Sequence, residues 1–144
     1  SNKKRHILSD LIKQYCDYSI VSISPAEIDQ YNIYQANKIL MIKAVNTLNA
    51  YFDEILLDGN IKFTQQNYTS LIKGDTYIAE IAASSIIAKV ARDNFMVQLA
   101  KMHPLYAWEK NKGYGTKIHI EAIKTFGLSN YHRKSFCKNY VNVS

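Results

Sequence analysis

Residues 78–102 run without a single glycine or proline and are rich in alanine and isoleucine, which predicts one long helix. Ala82, Ala83, Ser84, Ser85 and Ala88 give it a run of small side chains that would admit a sheet at close range. His103-Pro104 ends it, because proline can neither donate to nor fit within a helix interior. Any fold for this chain must therefore pack around a helix of about seven turns.

The remaining segments alternate in kind. Residues 3–15 place Ile7, Leu8, Leu11, Ile12 and Tyr15 at helical spacing. Residues 17–23 read as a strand closed by Pro25. Ser24-Pro25-Ala26-Glu27 has the form of a helix start, with a capping serine, proline in the first turn and a glutamate near the positive end of the helix dipole. A further helix is expected over residues 33–48. Residues 54–58 and 68–72 read as short strands, the first nearly all apolar, as for a strand covered on both faces. Residues 103–115 read as a loop. Thr116 caps a last amphipathic helix, and Gly127 stands where a helix C-terminus favours glycine. The basic run at residues 132–136 is expected to be irregular. The alternation of helices and strands gives an α/β class, and 144 residues fit a single domain, 1–144.

Composition excludes several functions. No apolar run approaches the ~20 residues of a membrane span, and no secretory signal is visible at the N-terminus. Cys16 and Cys137 suggest neither a disulfide framework nor a metal site, so a reducing cytoplasm is the expected setting. The four histidines have no ligand spacing. The net charge of +6 is concentrated: residues 1–100 carry ten Lys/Arg and ten Asp/Glu, whereas residues 101–144 carry eight Lys/Arg against Glu109 and Glu121. Such a tail attracts a polyanion, nucleic acid above all, although a merely solvated basic face has the same composition.

Asp58 and Asp75 each follow the end of an expected strand. In an antiparallel hairpin they would lie at opposite ends of the pair. In a parallel pair they would meet at one sheet edge, where open α/β sheets bind ligands. Residues 60–67 can span up to ~26 Å, enough to return along a short strand. Two such carboxylates suit Mg²⁺ or Mn²⁺, but a two-metal phosphodiesterase site needs one or two more acidic groups. Ordinary readings compete: Asp58-Gly59 is a turn dipeptide, Asp75 can serve as a helix cap, and Asp93 can pair with Arg92. Tyr114, between Gly113 and Gly115, is either a packed tyrosine or an exposed ring that stacks on a sugar or base.

Taken in order, Leu57-Asp58-Gly59-Asn60, Lys73-Gly74-Asp75, Ile81-Ala82-Ala83-Ser84-Ser85-Ile86-Ile87-Ala88-Lys89-Val90-Ala91-Arg92-Asp93, His103-Pro104, Asn111-Lys112-Gly113-Tyr114-Gly115-Thr116 and His132-Arg133-Lys134-Ser135-Phe136 resemble the bacterial ribonuclease HII (type-2 ribonuclease H) family. Ser24-Pro25-Ala26-Glu27-Ile28-Asp29 and Asn32-Ile33 also match, so the resemblance covers about residues 3–140. It implies a ribonuclease H-like mixed sheet flanked by helices. It also implies an endonuclease that nicks 5′ to a ribonucleotide embedded in duplex DNA, with RNA–DNA hybrid or ribonucleotide-containing duplex as partner and two Mn²⁺ or Mg²⁺ ions as cofactors. Asp58 and Asp75 match the third and fourth acidic metal ligands and so become the catalytic and metal-binding candidates. Tyr114 matches a tyrosine that stacks on the deoxyribose beyond the ribonucleotide. Lys112, His132, Arg133 and Lys134 become substrate-binding candidates, with Lys89 and Asp93 in structural or supporting roles.

The family also has a strand bearing an Asp-Glu pair and a Gly-Arg-Gly loop, and nothing in these 144 residues resembles it. On that comparison the N-terminal strands of the sheet are missing and the chain by itself is catalytically dead or nearly so. A non-catalytic nucleic-acid-binding fragment is the alternative. The family is monomeric, whereas exposed strand edges would let this chain pair with another copy.

Overall fold

A computed structural model describes residues 1–48, 50–64 and 67–141. Seven α-helices and two strands are formed among them: α1 (Asn2–Tyr15), α2 (Pro25–Tyr31), α3 (Ile33–Leu48), β1 (Ile55–Asp58), β2 (Tyr68–Leu71), α4 (Ala79–Met102), α5 (Trp108–Asn111), α6 (Lys117–Phe126) and α7 (Lys134–Cys137). The class is α/β, mostly helical, as the alternation predicts. No helix among the described residues is long and apolar enough to cross a membrane.

The chain divides into two compact units, with boundaries that fall inside α3 and at the middle of α4. The first comprises Ser1–Ser22 and Asn37–Ala91. It contains the sheet, in which β1 and β2 are parallel, with Asp58 in register with Leu71. The return between them takes residues 59–67, and Ile55 N–H is held by the Asn67 carbonyl at 2.8 Å. Leu57, Ile61, Ile81, Ile87 and Val90 are its buried apolar side chains. Close approach in this unit occurs at Gly74, where a Cβ would stand 2.5 Å from Ile81 Cδ1 and 3.3 Å from Leu71 Cβ. Of the alanine–serine run of α4, Ala82, Ala83 and Ser85 are half-buried, whereas Ser84 and Ala88 face solvent.

Residues 17–23 do not form the expected strand. A strand is defined by a hydrogen-bonded neighbour, and this segment has none among the described residues; Ser19 Oγ instead donates to the Ala44 carbonyl of α3 at 2.8 Å.

The second unit comprises Ile23–Ala36 and the chain from Arg92 onward. Its core is Leu99, Ala100, Tyr106, Trp108, Ala122 and Ile123, with Met96, Leu128, Cys137, Tyr140 and Val141 packed around it. Helix α2 begins with a full capping box: Glu27 N–H donates to Ser24 Oγ at 3.2 Å and Ser24 N–H to Glu27 Oε2 at 2.8 Å. Thr116 Oγ1 caps α6 by accepting from His119 N–H, and Gly127 at φ 76° closes it. Two short helices were not expected. One, α5, lies within the presumed loop after Pro104, and the other, α7, within the basic end.

Candidate functional site

In the first unit, parallel pairing brings the ends of β1 and β2 to one sheet edge, and Asp58 lies at that edge. Gly59 N–H donates to the Leu71 carbonyl at 2.9 Å, so the ladder continues one step beyond Asp58. The chain then turns at Lys73, in the left-handed region at φ 56°, and enters a 3-10 turn over Gly74–Thr76. Gly74 N–H donates to Asp58 Oδ1 at 2.9 Å. The Asp58 carboxylate is thereby locked to the residue next to Asp75, with Oδ2 left for another ligand. Asp75 is not a cap of α4, because the helix starts at Ala79. Both carboxylates are exposed.

Beside them, Asp75 lines an open pocket of about 240 Å³ with Arg5, Ala82, Ser85, Ile86 and Lys89. Lys89 therefore belongs to the surroundings of Asp75. Two hard oxygen donors on neighbouring segments suit a Mg²⁺- or Mn²⁺-sized ion, which fills its remaining positions with water. Among the described residues no group of three or more Asp, Glu, His or Cys side chains comes together. Asp58 and Asp75 are therefore the carboxylates this edge offers, fewer than a two-metal site needs.

In the second unit, the Asn111–Thr116 loop is built around its own backbone. Lys112 and Gly113 both adopt positive φ, 51° and 79°. Buried Asn111 ties the turn together: its Nδ2 donates to the Tyr106 carbonyl at 2.8 Å and its Oδ1 accepts from Gly113 N–H at 2.8 Å. Arg92 donates to the Lys112 carbonyl at 3.0 Å and lays its guanidinium 4.7 Å from the centre of the Tyr114 ring. Tyr114 remains 52% exposed, which decides against a packed core tyrosine. Asp93, next to Arg92, is buried.

The basic end separates into different environments. His132 is buried, so in this conformation its ring does not face a nucleic-acid backbone as the sequence suggested. Its Nδ1 accepts from Ser129 N–H at 3.0 Å, and its Nε2 lies 3.1 Å from His119 Nε2. Burial, together with the neighbouring His119 imidazole, pushes its pKa down to about 4. The Arg133 guanidinium lies 3.8 Å from the centre of the Phe136 ring, and Lys134 is exposed. Asp29 organises this end. Its Oδ2 accepts Lys134 N–H at 2.7 Å and its Oδ1 accepts Ser135 N–H at 3.1 Å, with a further bond from Ser135 Oγ. Burial raises the Asp29 carboxyl, but those hydrogen bonds and the Arg133 charge outweigh it and hold the group below the usual carboxylate range.

Sequence reasoning passed over Asn111, Trp108 and His119 as functional supports. His119 had a usable signal: with Thr116 as the cap it occupies the third helical position, from which a side chain can reach back across the helix start.

The profile of the family described as Ribonuclease HII matches residues 1–139. Ribonuclease HII of Rickettsia typhi is 48% identical over 136 residues, covering 94% of this chain and 70% of the relative. Ribonuclease HII of Orientia tsutsugamushi (strain Ikeda) is 46% identical over 145 residues, covering 100% and 71%. Ribonuclease HII of Rickettsia bellii (strain OSU 85-389) is 46% identical over 138 residues, covering 96% and 70%. With a profile match along almost the whole chain and relatives at this identity, the chain belongs to the ribonuclease HII family, a family of endoribonucleases.

Proposed function

We propose that the chain supplies half of the metal site of an endonuclease that nicks 5′ to ribonucleotides embedded in duplex DNA and cuts RNA in RNA–DNA hybrids. The observation that carries this reading is the placement of Asp58 at the shared edge of a parallel strand pair, with its Oδ1 fixed by the N–H of the residue before Asp75. Asp58 and Asp75 would hold Mn²⁺ or Mg²⁺. A divalent ion held there would supply positive charge for activating a water and stabilising a leaving oxygen in phosphodiester hydrolysis.

The protein's own side chains bind and orient the substrate. The ring of Tyr114, with the Arg92 guanidinium over one face, is still 52% exposed, and a sugar can stack on its exposed side. Lys112, Arg133 and Lys134 neutralise phosphates, and Lys89 adds positive charge beside Asp75. His132, buried within the second unit and bonded to Ser129, supports the basic end from inside. Two carboxylates are too few for a two-metal site, so the 144 residues by themselves nick feebly or not at all, and a segment bearing the family's Asp-Glu pair completes the site.

A Mn²⁺ titration of this chain tests the acidic pair without requiring turnover. Weak, saturable Mn²⁺ binding should be lost in Asp58→Asn and in Asp75→Asn while far-UV circular dichroism is unchanged. Undiminished binding in both variants would remove the metal reading. The exposed Tyr114 and the basic end would then favour a nucleic-acid-binding module that needs no divalent ion.

A further inference from the structure

The second unit buries two imidazoles, His119 and His132, that the proposed chemistry does not use directly. Their hydrogen bonds form one connected set. Trp108 Nε1–H donates to His119 Nε2 at 3.1 Å, so that nitrogen is an acceptor. His119 Nδ1 must then carry the hydrogen, and it faces the Tyr114 carbonyl at 2.9 Å. His132 Nδ1 accepts from Ser129 N–H, which leaves the hydrogen on His132 Nε2, 3.1 Å from His119 Nε2. With both rings neutral, Trp108 Nε1–H and His132 Nε2–H share the single lone pair of His119 Nε2, and the low pKa of His132 agrees with a neutral ring.

We infer that His119 is a positioning residue for Tyr114. It anchors the Tyr114 carbonyl to the buried Trp108–His132 pair and so fixes the loop that presents the exposed ring. The same carbonyl accepts Thr116 N–H at 2.8 Å, and Thr116 Oγ1 accepts His119 N–H at 3.4 Å. Two glycines flank Tyr114, and a loop of that composition needs an external tie to hold one conformation. Arg92 supplies one at Lys112, and His119 supplies another at Tyr114 itself.

The inference rests on the reading that Tyr114 meets the substrate, and the test separates the two. In His119→Asn the amide N–H can take the place of Nδ1–H and keep the tie to Tyr114, while the Trp108 and His132 hydrogen bonds are lost. In His119→Gln the amide oxygen can take the place of Nε2 and keep those core bonds, while the tie to Tyr114 is cut. Fluorescence anisotropy would give the ratio of affinities for a duplex with one ribonucleotide and the same duplex in all-DNA form. Amide hydrogen exchange over residues 113–116 and thermal melting would be measured alongside.

The expected result is that His119→Gln melts near the parent temperature yet loses protection over residues 113–116. Its preference for the ribonucleotide should fall by about fivefold, the scale of one hydrogen bond, to the level of Tyr114→Ala. His119→Asn should melt lower and keep both protection and preference. A merely structural histidine gives the reverse order, with His119→Asn the worse variant in every assay, and that result would overturn the inference. If Tyr114→Ala keeps the preference while His119→Gln loses loop protection, the tie is real and it is the substrate role of Tyr114 that falls.

Discussion

His132 makes a pH dependence of stability legible at the scale of one side chain. Its folded pKa of about 4 lies below the ordinary 6.5 because the ring is buried beside His119, with His103 adding to the effect and a Ser129 hydrogen bond opposing it. A depressed histidine leaves the unfolded chain with more bound protons between those values. Its contribution is therefore complete above pH 6.5 and is lost as the pH falls towards 4. At about 1.4 kcal/mol per pH unit, the loss is on the order of 3 kcal/mol. Urea unfolding at pH 7 and pH 4.5 should show it, and His132→Gln should flatten most of that slope. An equal slope in the variant would mean that other groups carry it. The long-range contacts at this scale could not be read in advance. Asp58 and Gly74 are sixteen residues apart, and nothing in an Asp-Gly dipeptide announces that its carboxylate is held by a distant backbone N–H.

Among the elements, local chemistry was readable and pairing was not. Ser24, Thr116 and Gly127 act as the cap residues that their types suggested, because a cap is decided within four residues. Residues 17–23 have strand composition without strand structure, because a ladder needs a partner that composition does not supply. The helix α7 was missed because its start depends on Asp29, more than a hundred residues away in sequence. Asp29→Ala should therefore loosen residues 133–137 specifically, at a cost of about 1–2 kcal/mol for the lost cap. Faster amide exchange at Lys134 and Ser135, with α6 unchanged, is the expected signature. Because its folded pKa is depressed, the Asp29 contribution is present above pH 3.8 and disappears as the pH falls further.

For the whole molecule, charge and family membership lead to nucleic acid. The excess of Lys/Arg lies entirely in residues 101–144. Duplex binding should weaken linearly in a plot of log affinity against log salt. Lys134→Ala should lower that slope by about one, as expected for one lost phosphate contact. An unchanged slope would place Lys134 outside the interface. The order of the motifs was enough to point to the family, whose profile matches residues 1–139. The path by which Trp108 and His119 support Tyr114 was not visible, because it depends on burial and ring orientation.

The central claim is that Asp58 and Asp75 are metal-holding carboxylates of a ribonuclease H-type endonuclease. Its most direct test is cleavage, in Mn²⁺, of a DNA duplex containing one ribonucleotide. The 144-residue chain would be assayed alone and after extension by a segment carrying the family's Asp-Glu pair, each with and without Asp58→Asn. The predicted result is little or no nicking by the chain alone, nicking 5′ to the ribonucleotide by the extended chain, and a loss of more than about 100-fold with Asp58→Asn. Efficient cleavage that survives Asp58→Asn, in either form, would contradict it.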